Sequence, residues 1–390
     1  MLKRRKILVT TGTRAEYGIL RPVLKKINDS KKLELLLVVT GTHNSKKYGM
    51  TINEIKKDGF KIAKIIKNLP KSDTHYSVTQ SLGEGIVYFS KVFKKLKPDI
   101  NLILGDRDEM LASAISAYHM NIPNAHIHGG DKSGGLDEYN RHAITKISNI
   151  HFPATEKSRK RILKMGENPK FVFLTGSPSI DEIKNNKITN KKDLENIYGI
   201  NFQGDEILLV YHPMTTQPEK NSTQIYNVLN SIVKLGHVCI AIAPNSDAGR
   251  SEIFCALKNY SKKHKFIKIF STLPRSDYLG MLKNCGVLLG NSSSGVIEAS
   301  YFQIPVVNIG IRQKNRERGK NIIDVNTNSK NLIYHAIQKA LKMKKSKKST
   351  FGFIFGKGNS AQKIVKHLES VPLDKDLIQK ELMFPENHQG

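Results

Sequence analysis

Side chains able to carry protons or charge crowd the stretch His126, His128, Asp131, Asp137, Glu138, Arg141 and His142, among Gly129, Gly130, Gly134 and Gly135. Glycine lets backbone approach a ligand closely, and Asp137 and Arg141, four apart, fall on one face of a helix. A lone pair of this kind is ordinary surface decoration. Placed directly after a glycine-rich loop, it points to catalysis or substrate binding. Upstream, Gly105-Asp106-Arg107-Asp108-Glu109 gathers three carboxylates and an arginine. Asp108 and Glu109 read as first-turn acids that complement a helix dipole, an explanation that fits Asp106, nearer the strand's end, less well. Thr11-Gly12-Thr13-Arg14 offers a tight turn and a helix start suited to phosphate, although Arg14 fits a surface ion pair equally well. The pattern is not GxGxxG and supports no dinucleotide site.

The second half of the chain carries a different chemistry. His212 follows the apolar run Leu208–Tyr211 and has a side chain that titrates near neutrality. Pro244-Asn245-Ser246-Asp247-Ala248-Gly249 and Gly290-Asn291-Ser292-Ser293-Ser294-Gly295-Val296-Ile297-Glu298 follow two further apolar runs. One serine suffices for an N-cap. Three beside a helix start suit the cradling of a diphosphate, with Glu298 one turn on to accept from ribose hydroxyls.

These loops need rigid elements to hold them. Apolar runs at Ile7–Thr10, Leu33–Thr40, Ile100–Leu104 and Asn124–His128 alternate with helical spacing at Tyr17–Ile27, Val78–Leu96, Glu109–Met120 and Glu138–Ser148. A second series has strands at Glu206–Tyr211, His237–Ala243, Phe266–Phe270, Gly286–Gly290 and Pro305–Ile309. Such alternation predicts parallel sheets covered by helices on both faces. The fold class is α/β: two doubly wound, Rossmann-like domains facing across a cleft. The expected boundaries are 1–176 for the first domain, 177–201 for a polar hinge, 202–360 for the second domain, and 361–390 for a helix and tail crossing back to the first. Ligands of such sheets bind beyond the carboxyl ends of the strands.

Composition narrows the class of function. The chain has 390 residues, 39% of them apolar, and 63 basic against 34 acidic side chains give a net charge of +29. That charge raises the question of nucleic acid, but the lysines are scattered over helical segments. The single dense run, Lys342–Lys348, has no interleaved aromatic residues to stack bases. The expectation is no nucleic-acid partner and a positive field that favours an anionic small substrate. No run approaches the ~20 apolar residues of a membrane span. Cys239, Cys255 and Cys285 form neither a CxxC pair nor an even set, which fits a reducing, cytoplasmic location.

In order and spacing, Thr13-Arg14-Ala15-Glu16-Tyr17-Gly18, Thr40-Gly41-Thr42-His43, Leu104-Gly105-Asp106-Arg107, His126-Ile127-His128-Gly129-Gly130, the DEYNRHAITK run from Asp137, His212-Pro213, the PNSDAG and GNSSSGVIE loops, and Arg312-Gln313 resemble the hydrolysing UDP-N-acetylglucosamine 2-epimerases over nearly the whole chain. The resemblance implies two Rossmann-like domains and a homodimer or homotetramer. It implies no cofactor or metal, and a UDP-sugar as substrate. The reaction it implies removes the C2 proton as the C1–oxygen bond breaks, releasing UDP and a 2-acetamidoglucal, to which water adds with inverted C2 configuration. N-Acetylmannosamine for sialic acid-type sugars is the product. The same reaction on UDP-2,4-diacetamido-2,4,6-trideoxyglucose, towards legionaminic acid, is the alternative, and a glycosyltransferase of the same architecture is a further one.

Residue by residue, the resemblance assigns uridine and ribose contacts to Asn245, Asp247 and Glu298. Phosphate contacts fall on Arg14, Arg107, Ser292, Ser293 and Arg312, and catalytic groups on Asp106, Asp137, Arg141 and His212. Relatives often carry glutamate where this chain has His128, which becomes a substrate-binding candidate, and Asp131 is the nearest acid. Lys357 stands where relatives commonly have aspartate.

Overall fold

The nine apolar runs above are all parallel strands in the computed structural model, which describes residues 4–72, 74–132, 136–185, 187–214, 221–244, 249–313, 316–325, 329–346 and 353–383. β1 (Arg5–Thr11), β2 (Leu33–Val39), β3 (Ile62–Ile65), β4 (Ile100–Leu104), β5 (Asn124–Ile127) and β6 (Ile150–Phe152) form one sheet in the order β3-β2-β1-β4-β5-β6. β7 (Ile207–Val210), β8 (Cys239–Ile242), β9 (Ile267–Phe270), β10 (Val287–Gly290), β11 (Val306–Ile309) and β12 (Ile322–Val325) form the other, β12-β11-β10-β7-β8-β9. Counted from its own first strand, each sheet has the order 3-2-1-4-5-6, which reverses between its first and fourth strands. At that switch point two neighbouring strands send their connections to opposite faces and leave a crevice at their carboxyl ends.

The apolar runs are continuous because both faces of each sheet are covered. In the first, Ile7, Val9, Leu102 and Ile127 pack on Leu20, Val23, Leu24 and Ile27 of the helix Arg14–Asp29, whose spacing makes one apolar stripe, and on Ile364 and Leu368 of the helix Ser360–Ser370. Leu8, Leu36 and Val38 point to the opposite face, against Phe89 and Phe93 of the helix His75–Leu96 and Ala112 and Ala117 of the helix Asp108–His119. Each fully buried side chain of this size stabilises by roughly 1.5–3 kcal/mol. The second sheet alternates likewise, with Ile207 and Leu209 on one side and Leu208 and Val210 on the other.

The chain divides into two compact units, one of residues 1–131, 137–182 and 355–390 and the other of 132–136 and 183–354. The C-terminal helix Ser360–Ser370 is fastened into the first unit at its start, where the Ser360 and Ala361 N–H groups each donate to Asp181 at 2.9 Å. The polar stretch expected as a hinge is structured. It holds the helices Pro178–Asn185 and Lys191–Tyr198, the latter capped by Asn190, which accepts from the Asp193 N–H at 2.9 Å. No helix among the described residues is long and apolar enough to cross a membrane.

Candidate active site

In the first unit Val9 lies opposite Leu102, so β1 and β4 run out side by side into Gly12 and Gly105. Gly105, at φ +79°, turns the chain so that Asp106 and Arg107 stand at the switch point. The turn is braced from the next strand. Nε2 of His126 donates to the Gly105 carbonyl at 2.7 Å, and its Nδ1 lies 3.2 Å from Oγ1 of Thr145. Complete burial pushes the His126 pKa down to about 3, so the ring is neutral and its tautomer is set by the carbonyl it serves.

Asp106 is ion-paired with Arg141, which is 2% exposed and whose Nη1 also donates to the Asp131 carbonyl at 3.1 Å. The sequence placed Arg141 on one helix face with Asp137, and the ion pair described here joins it to Asp106. Arg141 links the loop after β4 to the loop after β5, a tie between residues far apart in the chain. Asp131 is buried and accepts from the Ser158 hydroxyl at 2.6 Å. Its neighbour Gly130 has φ +72°, and a Cβ there would meet the Ser158 carbonyl at 2.6 Å, so only glycine fits. Asp137 opens the helix Asp137–Lys146, exposed. Burial raises the pKa of nearby Asp108, which accepts from Asn140 at 2.9 Å, and the Asp137 charge adds to that rise. His128 has a left-handed backbone, φ 64°, costly for a residue with a Cβ, and its Nε2 sits 2.9 Å from the Ser177 hydroxyl. Ser133, Gly134 and Gly135 of the glycine-rich loop lie outside the described residues.

Beside β1, Arg14 makes a two-contact ion pair with Glu54, at 2.6 and 3.2 Å, the surface pairing that its sequence position also allowed. Arg107 pairs with Glu109 at 3.2 Å. The Glu109 carboxyl lies against two glycines: a Cβ on Gly12 would sit 3.3 Å from it and one on Gly41 2.7 Å from it. Glu16, in the first turn of its helix, is buried with one oxygen accepting from the Gly12 N–H at 3.4 Å. Burial, and then the nearby Glu109 charge, push its pKa up to about 8, so at neutral pH it is a protonated acid. Sequence reading gave Glu16 no role. An acid in a helix's first turn looks like dipole compensation, and only the fold reveals that water is excluded from it.

The switch point of the second unit is built from amides and hydroxyls. Val210 lies opposite Gly290, whose φ is +138° and where a Cβ would fall 2.1 Å from the Val210 carbonyl oxygen, so only glycine fits. Asn291 follows, fully buried. Its Oδ1 accepts from the His212 N–H at 2.7 Å and its Nδ2 donates to the His212 carbonyl at 2.8 Å, which fixes the loop that carries His212. Its own carbonyl accepts from Arg312 at 3.3 Å and Gln313 at 3.0 Å. Ser292 is the N-cap of the helix Ser293–Tyr301 and accepts from the Ser294 N–H at 3.3 Å, which leaves Ser293 as its first residue. Ser294 instead hydrogen-bonds Glu298, and Glu298 is ion-paired with Arg275. Sequence reading named Asn291 without a task and missed Arg275. The signal for Asn291 was an amide at the exit of a strand, whereas Arg275 gave none. Asn245 and Asp247 lie outside the described residues.

Two parallel sheets of the same doubly wound order in one chain define a fold of the glycosyltransferase-B-like class. The crystal structure of a UDP-N-acetylglucosamine 2-epimerase from Neisseria meningitidis bound to its UDP-sugar shares it, with a TM-score of 0.79 at 19% identity over 93% of this chain and 99% of that one. The family model for UDP-N-acetylglucosamine 2-epimerase matches residues 25–369, and the chain belongs to that family. It is 39% identical to a hydrolysing UDP-N,N′-diacetylbacillosamine 2-epimerase of Legionella pneumophila, over 96% of this chain and 98% of that protein. It is 37% identical to a hydrolysing GDP/UDP-N,N′-diacetylbacillosamine 2-epimerase of Campylobacter jejuni, over 86% and 88%. The chain is an enzyme of this hydrolysing 2-epimerase type.

Proposed function

We propose that the enzyme converts UDP-N-acetylglucosamine and water to N-acetylmannosamine and UDP, by elimination of UDP through 2-acetamidoglucal followed by hydration. The observation that carries this reading is the division of chemistry between the two switch points. The first unit offers Asp106, Asp131 and Asp137 as acids and bases, with Arg141 holding Asp106. A proton at C2 of a sugar is barely acidic, so its removal needs a placed base together with charge stabilisation of the leaving diphosphate. Arg14, Arg107, Arg312, Ser292 and Ser293 serve the diphosphate, Glu298 the ribose hydroxyls, Asn245 and Asp247 the nucleoside, and His128 the sugar. His212, positioned by Asn291, assists departure of the phosphate. The product feeds sialic acid-type sugars, and the enzyme works in the cytoplasm as a homodimer or homotetramer.

A second reading has a specific observation behind it: both curated relatives above are named for N,N′-diacetylbacillosamine, a 2,4-diacetamido-2,4,6-trideoxy sugar. The two candidates share the nucleotide and the 2-acetamido group and differ at C4 and C6. Incubation with each UDP-sugar and identification of the free sugar separates them. Release of N-acetylmannosamine supports the first reading, and turnover of the diacetamido sugar alone replaces it with the second. Release of unepimerised sugar contradicts both.

A further inference from the structure

Glu298 belongs to a closed circuit of four side chains. Nη2 of Arg275 donates to Oε1 of Glu298, the Ser294 hydroxyl donates to Oε2, the Tyr278 hydroxyl donates to Oγ of Ser294 at 2.7 Å, and the Arg275 guanidinium lies 5.6 Å from the centre of the Tyr278 ring. Arg275 and Tyr278 share the first turn of the helix Arg275–Asn284, and Ser294 and Glu298 are four apart on the helix Ser293–Tyr301. Every member therefore stands on a helix, and each restrains the next. Glu298 is only 4% exposed. A carboxylate this deep needs a counter-charge, which Arg275 supplies. Burial also raises the Tyr278 phenol, which keeps it a hydrogen-bond donor.

A carboxylate has about four acceptor sites, two on each oxygen. Arg275 bonds Oε1 and Ser294 bonds Oε2, so the direction in which the carboxylate's other acceptor sites point is set by the circuit rather than by free rotation of a glutamate. We infer that Arg275 is a positioning residue for nucleotide recognition, which through the circuit with Tyr278 and Ser294 holds Glu298 in the one orientation that accepts from both ribose hydroxyls of a nucleoside diphosphate. This rests on the reading of Glu298 as the ribose acceptor. Arg275 itself touches no part of the nucleotide in this scheme. Its effect is selective: it governs how well the protein distinguishes ribose from a sugar lacking the two hydroxyls.

The test is calorimetric titration of the full chain with UDP and with 2′,3′-dideoxy-UDP, and the quantity read is the ratio of the two dissociation constants. A site built to hydrogen-bond hydroxyls rejects the analogue that lacks them, and each bond to a charged group is worth roughly a tenfold factor, so the wild-type ratio is expected near a hundredfold. Glu298→Gln and Arg275→Gln each bring it below about threefold, Arg275→Lys restores part of it, and Tyr278→Phe, the mildest break in the circuit, lowers it several-fold. Loss of discrimination in Glu298→Gln with a wild-type ratio in Arg275→Gln overturns the positioning role and leaves the ribose reading standing. A wild-type ratio in Glu298→Gln overturns both. Should Arg275→Gln not fold, Tyr278→Phe decides, and an unchanged ratio there counts against the circuit. A general loss of stability would weaken both nucleotides alike and leave the ratio where it was.

Discussion

The two units arrange six parallel strands in the same order and then equip the point of reversal differently. In the first unit that point is crowded with titratable groups: the Asp106–Arg141 and Arg107–Glu109 pairs and the protonated, buried Glu16. In the second it is lined by Asn291, Ser292 and the His212 backbone, groups whose hydrogen bonds do not change with pH over the physiological range, and the buried Arg275–Glu298 ion pair is itself locked in a circuit. The contrast shows what a doubly wound sheet leaves open. It supplies a crevice and a helix start, and the residues placed there decide whether protons move or an anion is held. An acid–base site needs groups near neutrality and tolerates buried charge for that reason, whereas an anion cradle needs fixed donors.

The sharpest way to break this contrast is to neutralise the first unit's acids. Asp137→Asn, at an exposed helix start, is expected to fold normally and to lose at least about a hundredfold in kcat, the scale of lost acid–base assistance, with KM little changed. Asp106→Asn loses as much and also destabilises the protein, because buried Arg141 keeps its charge without its partner. Near-normal turnover in both variants would remove acid–base chemistry from this unit.

Glu16 offers a test by pH. Its folded pKa, about 8, lies above the 4.5 of an ordinary glutamate, so the folded protein keeps a proton that the unfolded chain releases. The stability linked to it is complete below pH 4.5 and is lost as pH rises towards 8. Thermal melting from acid to mildly alkaline pH is therefore expected to show a decline that Glu16→Gln reduces. Parallel curves for the two proteins would show that the carboxyl is not buried in this way.

Asn291→Ala probes the second unit. It strands the His212 N–H and carbonyl and is expected to cost about 2 kcal/mol and to weaken UDP binding, with no change in the pH profile of turnover. A shifted profile would place proton chemistry in this unit too. The smallest effect is expected from Glu54→Gln, which breaks the pair of Arg14 with the more exposed Glu54, worth less than about 1 kcal/mol, and a larger loss in denaturant unfolding would make that pair structural.

How much of this was legible in the sequence follows from burial. The nine strands read from it lie at or near the middle of their sheets or, like β9, are largely apolar. The three it missed, β3, β6 and β12, are all edge strands. Lys64 interrupts β3, Asp324 interrupts β12, and β6 is three residues long with His151 at its centre; Lys268 interrupts edge strand β9 in the same way, but Phe266 and Phe270 on either side give it the stronger apolar signal. The helices within 177–201 were hidden by their lysines and asparagines, although Asn190 and Gly199 mark the ends of one. Polar residues at strand exits were legible because a strand's end is legible. Their partners were not: Asp106 and Arg141, or Arg275 and Glu298, meet only because the crossovers between strands bring separate loops and helices together.

The central claim is that the C2 proton is removed and replaced during loss of UDP, and turnover in deuterated water tests it directly. With UDP-N-acetylglucosamine or its diacetamido counterpart, the enzyme is expected to release UDP and a free sugar of inverted C2 configuration in equal amounts, with one deuterium at C2. A free sugar that keeps its original C2 hydrogen would show that no proton leaves that carbon, and would contradict the account.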